Sequence, residues 1–189
     1  MDSSRHALQI LLGAFLFVSA HTSATIASAD EADTLRRSRE ITKQFAAEMQ
    51  SALQGAMASG GPVAAIGVCK EIAPAIAARM SAETGAIVSR TSLKVRNPAN
   101  TPEPWQATIL QAFERGDVDD ELFEHYGNNG SRYMKVIRTG AICLNCHGTV
   151  LAADVRQALD EVYPDDQARG YFLDDVRGAF SVVWPDQAP

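Results

Sequence analysis

Cys143-Leu144-Asn145-Cys146-His147 sets two thiols three positions apart and puts an imidazole directly after the second. Thiols at that spacing can add across the two vinyl groups of a porphyrin, and the adjacent imidazole then falls under the iron as its axial ligand. The expected chemistry is covalent attachment of one c-type haem, with Cys143 and Cys146 as thioethers and His147 as proximal ligand. Two plainer uses of the same residues fit less well. A zinc site needs four ligands, and after export only Cys69 and His125 are left to complete one. A thioredoxin-like pair belongs in a βαβ context, whereas this motif lies in the C-terminal third of the chain.

Haem c is assembled outside the bacterial cytoplasm, and the N-terminus reads accordingly. A short stretch carrying Arg5 precedes an apolar run with Leu11, Leu12, Phe15, Leu16 and Phe17, and Ala27-Ser28-Ala29 fits a small-x-small cleavage site. Residues 1–29 are expected to be a secretory signal and residues 30–189 one periplasmic domain. The apolar run is shorter than the ~20 residues that cross a bilayer, and no cysteine near the cleavage site offers a lipid anchor. No stable membrane insertion is expected after cleavage. The net charge of −6 argues against nucleic acid or an anionic membrane as partner.

Of the three cysteines, Cys69 is then a lone thiol in an oxidising compartment. From Pro62 the chain reads as a helix in which Ile66, Cys69, Ala73, Ile76 and Met80 share an apolar face, so the thiol points inward. An inward cysteine is commonly a small buried hydrophobe. It is also a soft anionic ligand suited to ferric iron, and the other candidates for a sixth ligand are few: His125, Met49, Met57, Met80 and Met134. Pro74 cannot donate to the Lys70 carbonyl and is expected to kink this helix one turn after Cys69.

The elements that must position these groups follow from periodicity and breakers. Ile41, Phe45, Met49, Ala52 and Ala56 mark a long first helix, capped by Asp33 or Thr34 and ended by Gly60-Gly61. A second helix is expected over 62–81, a strand over 86–92, a turn over 96–100 and a third helix capped by Thr101 with Trp105, Ile109 and Phe113 inward. Asn128-Asn129-Gly130 signals a turn before a strand over 132–138; Leu151, Val155, Leu159 and Val162 mark a last helix, and 178–184 alternates as the clearest strand. Helices first and short strands later make an α+β domain.

Four further segments carry a resemblance. Val68-Cys69-Lys70-Glu71-Ile72-Ala73-Pro74, Arg90 through Asn100, the Tyr163-Pro164-Asp165-Asp166-Gln167-Ala168-Arg169-Gly170-Tyr171 stretch and Arg177-Gly178-Ala179 accompany the Cys143 to Gly148 motif in fixed order. Together they resemble a bacterial c-haem family first described as a domain of unknown function, which includes a cyanobacterial monohaem cytochrome and periplasmic sensory modules. The resemblance spans nearly the whole mature chain. It implies a PAS-like fold, a small antiparallel sheet flanked by helices, around one covalent haem. It also implies ligation by histidine and cysteine, with Cys69 at the position of the family's thiol.

Arg90 and Arg96 flank a loop that could fold over the haem, and a propionate contact is expected from at least one of them, since arginine pairs bidentately with a carboxylate; a solvated or loop-holding role is the plainer alternative. Tyr133, Arg138 and Trp105 are weaker candidates for packing around the porphyrin. Carriage of electrons or sensing of redox state is the expected function, with a diatomic-gas sensor acting on a partner protein as the alternative. No output domain is expected, so a redox or signalling partner would complete either role. Catalysis, as in a peroxidase, would need a distal acid-base group, and His125 is the free imidazole available for it. The protein is not expected to be an enzyme.

Overall fold

The computed structural model describes residues 22–127 and 130–186, so residues 1–21 of the expected signal peptide lie outside it. Helix α1 (Thr22–Gly67) buries Ile41 and Phe45 and departs from helical geometry at Gly60 and Gly61, the latter at φ 67°. The glycine pair therefore breaks the helix as expected, and one more stretch of helix follows from Pro62. The expected cap at Asp33 or Thr34 is instead helix interior, because the Ala/Asp/Glu stretch before it holds no breaker.

Val68–Ile72 winds as a π turn, with the Ala73 N–H donating to the Val68 carbonyl, and helix α2 (Ala73–Thr84) carries on to a left-handed Gly85. The expected kink at Pro74 takes this form because proline offers no N–H to the turn before it; a widened turn absorbs the missing bond. Cys69 sits inside that turn.

Strand β1 (Ile87–Thr91) leads through a short turn at Pro98–Asn100 to helix α3 (Pro104–Arg115). Thr101 does not cap α3. Pro102 and Pro104 hold the chain extended up to Glu103, whose N–H donates to the Gln106 side chain at 2.9 Å and starts the helix there. Strand β2 (Glu121–Tyr126) forms where the sequence carries no strand pattern, since its half-exposed side chains show no clean alternation. Strand β3 (Gly130–Arg138), the short helix α4 (Leu144–His147), helix α5 (Ala153–Val162) and strand β4 (Val176–Trp184) follow.

The strands pair antiparallel in the order β1-β4-β3-β2. Alternation along β3 and β4 gives the sheet two buried faces. Tyr133, Phe180 and Val182 pack under α1 and α2 with Phe45 and Met80, while Met134, Val136 and Ala179 pack under α3 with Leu110 and Phe113. A third cluster joins Ile66 of α1 to Val155, Leu159 and Tyr163, with Cys146 against its edge. The β3–β4 ladder shifts register where Ile137 faces Gly178 and Arg138 faces Val176, which leaves Arg177 as a bulge residue.

Candidate cofactor site

A cavity of about 390 Å³ lies at this bulged end of the sheet, inside the ~300–1,000 Å³ range of small-molecule and cofactor sites. Cys69, Arg90, Arg96, Cys143, Cys146 and His147 all line it. Five separate stretches of chain supply them: the π turn, β1, the loop after β1, the turn before α4, and α4 itself. Among the described residues no three His, Cys, Asp or Glu side chains gather as a bare metal cluster.

His147 is 9% exposed, and its Nδ1 lies 2.7 Å from the Ala168 carbonyl oxygen. A carbonyl only accepts, so that distance places the proton on Nδ1 and leaves Nε2 as the acceptor, with Arg96 Nη1 3.5 Å from it. Arg177 Nε also approaches Nδ1, at 3.2 Å, and two donors facing each other form no bond; Arg177 finds its acceptor at Ser92 Oγ through Nη1, 3.0 Å away. Burial, then Arg177 and Arg96, hold the imidazole well below its usual range. It is therefore neutral, the form a metal requires.

The guanidiniums divide into two kinds. Arg96, 8% exposed, donates from Nε to Asp166 at 2.9 Å and from Nη2 to the Cys146 and Ala168 carbonyls at 2.6 and 3.2 Å. Its charge is already answered by a carboxylate. Arg90 and Arg177 have no carboxylate partner among the described residues; Arg90 lies over the Phe45 ring and Arg177 over Tyr171, at 5.9 and 5.3 Å. Loss of solvent lowers the pKa of both. Half-enclosed cations without counter-ions are costly in a protein interior, and an anionic ligand would relieve both.

Sequence reasoning missed Arg177. Its motif was visible, but the register shift that aims the side chain into the cavity leaves no mark in β4's alternation. The alternative sulfur and imidazole ligands sort clearly. Met80 and Met134 are closed into the two sheet cores, and His125 sits on β2 beside Ser131 Oγ, 3.1 Å away; none of the three lines the cavity, whereas Met49 and Met57 do. Arg138 reaches the cavity wall. Trp105 stacks with Arg132 instead, and Tyr133 donates to Glu121 at 2.7 Å on the far side of the core.

An α+β domain folded around a cavity of thiols, imidazole and two guanidiniums without a carboxylate partner among the described residues is a cofactor-binding class of protein. The chain belongs to the Tll0287-like family, whose pattern it matches over residues 20–185. It is also similar in fold to a solved structure described as the cyanobacterial heme-protein Tll0287, with 23% identity and a TM-score of 0.66 over 83% of this chain and 98% of that one. At that identity the likeness speaks for the fold. No curated protein matches the chain.

Proposed function

We propose that this protein is an exported monohaem c-type cytochrome-like protein that carries or senses redox state. The observation that carries the reading is the single cavity shared by Cys143, Cys146, neutral His147, Cys69 and two cations lacking carboxylates. These groups fit a haem. Cys143 and Cys146 would hold it covalently, His147 Nε2 and the Cys69 sulfur would ligate its iron, and Arg90 with Arg177 would pair with its propionates. When bound, the haem supplies one-electron chemistry. Membership of a family that counts a heme-protein among its relatives supports the same reading.

Around that group the protein's own residues set ligand and access. His147 is held as the Nδ1–H tautomer by the Ala168 carbonyl, which would leave Nε2 as the atom that ligates a metal. Cys69 sits on the π turn that precedes Pro74 and lines the cavity, and such single widened turns are frequent at functional sites. Were the Cys69 sulfur to leave on reduction, the protein would act as a redox or diatomic-gas sensor; were it to stay, as an electron carrier. A peroxidase draws no support from His125, which stands outside the cavity lining.

Acid-acetone extraction tests the core of the proposal. Thioether-bound haem stays with the protein, while haem held by ligation alone enters the organic phase. Wild-type protein matured in a competent periplasm should retain its haem, and Cys143→Ala with Cys146→Ala should yield little holoprotein. Complete extraction from wild type would sink the c-type assignment. Export is tested separately: mature protein should begin at Asp30 by mass spectrometry, and an intact Met1 would reject cleavage after Ala29.

A further inference from the structure

Asp166 is 1% exposed at its side chain and spends every oxygen on one small region. Oδ1 accepts the Arg96 Nε–H and the Ala168 N–H, both at 2.9 Å, and Oδ2 accepts from Arg169 Nε at 2.7 Å. The Gln167 N–H donates to the Val95 carbonyl at 2.9 Å, which ties the 166–168 loop to the residue before Arg96. Arg96 then reaches both the Cys146 carbonyl, adjoining His147, and the Ala168 carbonyl that receives the His147 Nδ1–H. Its Nη1 lies 3.5 Å from His147 Nε2. A buried ion pair thus grips the two backbone carbonyls that bracket one imidazole.

We propose that Arg96 and Asp166 are positioning residues for His147, and that the pair tunes the reduction potential of the metal His147 holds. This rests on the haem reading above. The mechanism runs through the Ala168 carbonyl. An oxygen that accepts from His147 alone draws the Nδ1 proton strongly, makes the imidazole a better electron donor and favours the oxidised metal. Arg96 shares that oxygen, so it moderates the pull, and its positive charge beside Nε2 also disfavours the oxidised state. Both effects of Arg96 have the same sign. The Asp166 carboxylate opposes that charge, so it acts in the other direction while holding the geometry.

The test is spectroelectrochemical titration of covalently loaded wild type, Arg96→Gln and Asp166→Asn, with electron paramagnetic resonance of each oxidised form. Arg96→Gln should shift the oxidised-to-reduced ratio at fixed potential about tenfold toward oxidised, ~59 mV for one electron. Asp166→Asn should shift it the opposite way. Shifts of opposite sign with an altered spread of g-values support the pairing; potentials that stay put, or that move together as loosened packing would make them, overturn it. Where Arg96→Gln does not accumulate, Arg96→Lys keeps the charge and removes the planar fork: a potential near wild type with changed g-values supports the role, and unchanged g-values overturn it. Wild type without covalent haem overturns the reading of the site itself, a result distinct from loaded variants whose potentials do not move.

Discussion

Under the proposed reading Cys69 would decide what a haem in this cavity can do, because among the sulfurs on its wall a thiol, unlike the thioethers of Met49 and Met57, can bind metal as an anion. A bound thiolate donates strongly and favours the ferric state, so Cys69→Ser is expected to raise the reduction potential. Loss of a full anionic ligand should be worth more than the ~59 mV that marks a tenfold change for one electron, and a redox titration measures it. An unmoved potential and ferric spectrum would return Cys69 to the role of a plain cavity-wall residue, and Met49 or Met57, which share the wall, would be next to replace. The Cys143 to His147 motif was legible in the sequence because it is one contiguous run, and the structure places Cys143, Cys146 and His147 on one cavity. Cys69 was legible as an inward thiol on a helix face, with ligation of haem iron expected from its chemistry and from the resemblance; the division of labour between Arg96 and Arg177 was not legible at all. Which guanidinium meets a carboxylate depends on Asp166, far along the chain, and no local pattern encodes that meeting.

Two irregular elements aim the site. The π turn at Val68–Ile72 and the bulge at Arg177 each interrupt a regular ladder by one residue, and each presents a cavity-lining side chain. Periodicity located the helix and the strand that contain them, because the apolar stripes on either side remain intact. The interruptions themselves follow from Pro74 and Gly178. Gly178 has φ 154°, and a Cβ there would stand 2.3 Å from the Thr91 carbonyl oxygen. Gly178→Ala must therefore push β4 away from β1 beside the cavity. The expected cost is above ~2 kcal/mol by denaturant melting, with reduced haem loading. Pro74→Ala should act more gently. Restoring the missing N–H lets the α register run through, turning Cys69 relative to the cavity, so the ferric absorption spectrum should change while far-ultraviolet circular dichroism stays near wild type. The edge strand β2 escaped the sequence reading for the opposite reason: a half-exposed edge needs no strict alternation to be stable.

At the scale of the whole molecule, the site and the fold share a pH dependence, since the same loop carries a buried carboxylate and holds a buried imidazole. Burial pushes Asp166 up, but Arg96, Arg169 and the Ala168 N–H outweigh it and hold the carboxyl below its ordinary range. A depressed carboxylate contributes stability above the unfolded value of ~3.9 and loses it as pH falls through the folded one. His147 behaves likewise at a higher pH. Burial with Arg177 and Arg96 keeps it neutral in the fold, so the unfolded chain binds the extra proton first, from ~6.5 downward. Stability should then fall on acidification from near pH 6.5, with a limiting slope of ~1.4 kcal/mol per pH unit for the His147 proton, and the Asp166 proton should add its own loss below about pH 4. Metal ligation of Nε2 keeps the sign of the His147 loss and extends it to lower pH, because a proton must then compete with the metal. Urea melts of wild-type protein at pH 8, 5.5 and 3.5 read both losses. A free energy unchanged between pH 8 and 5.5 would mean that His147 takes up its proton without unfolding, and the neutral imidazole on which the site depends would have to be given up.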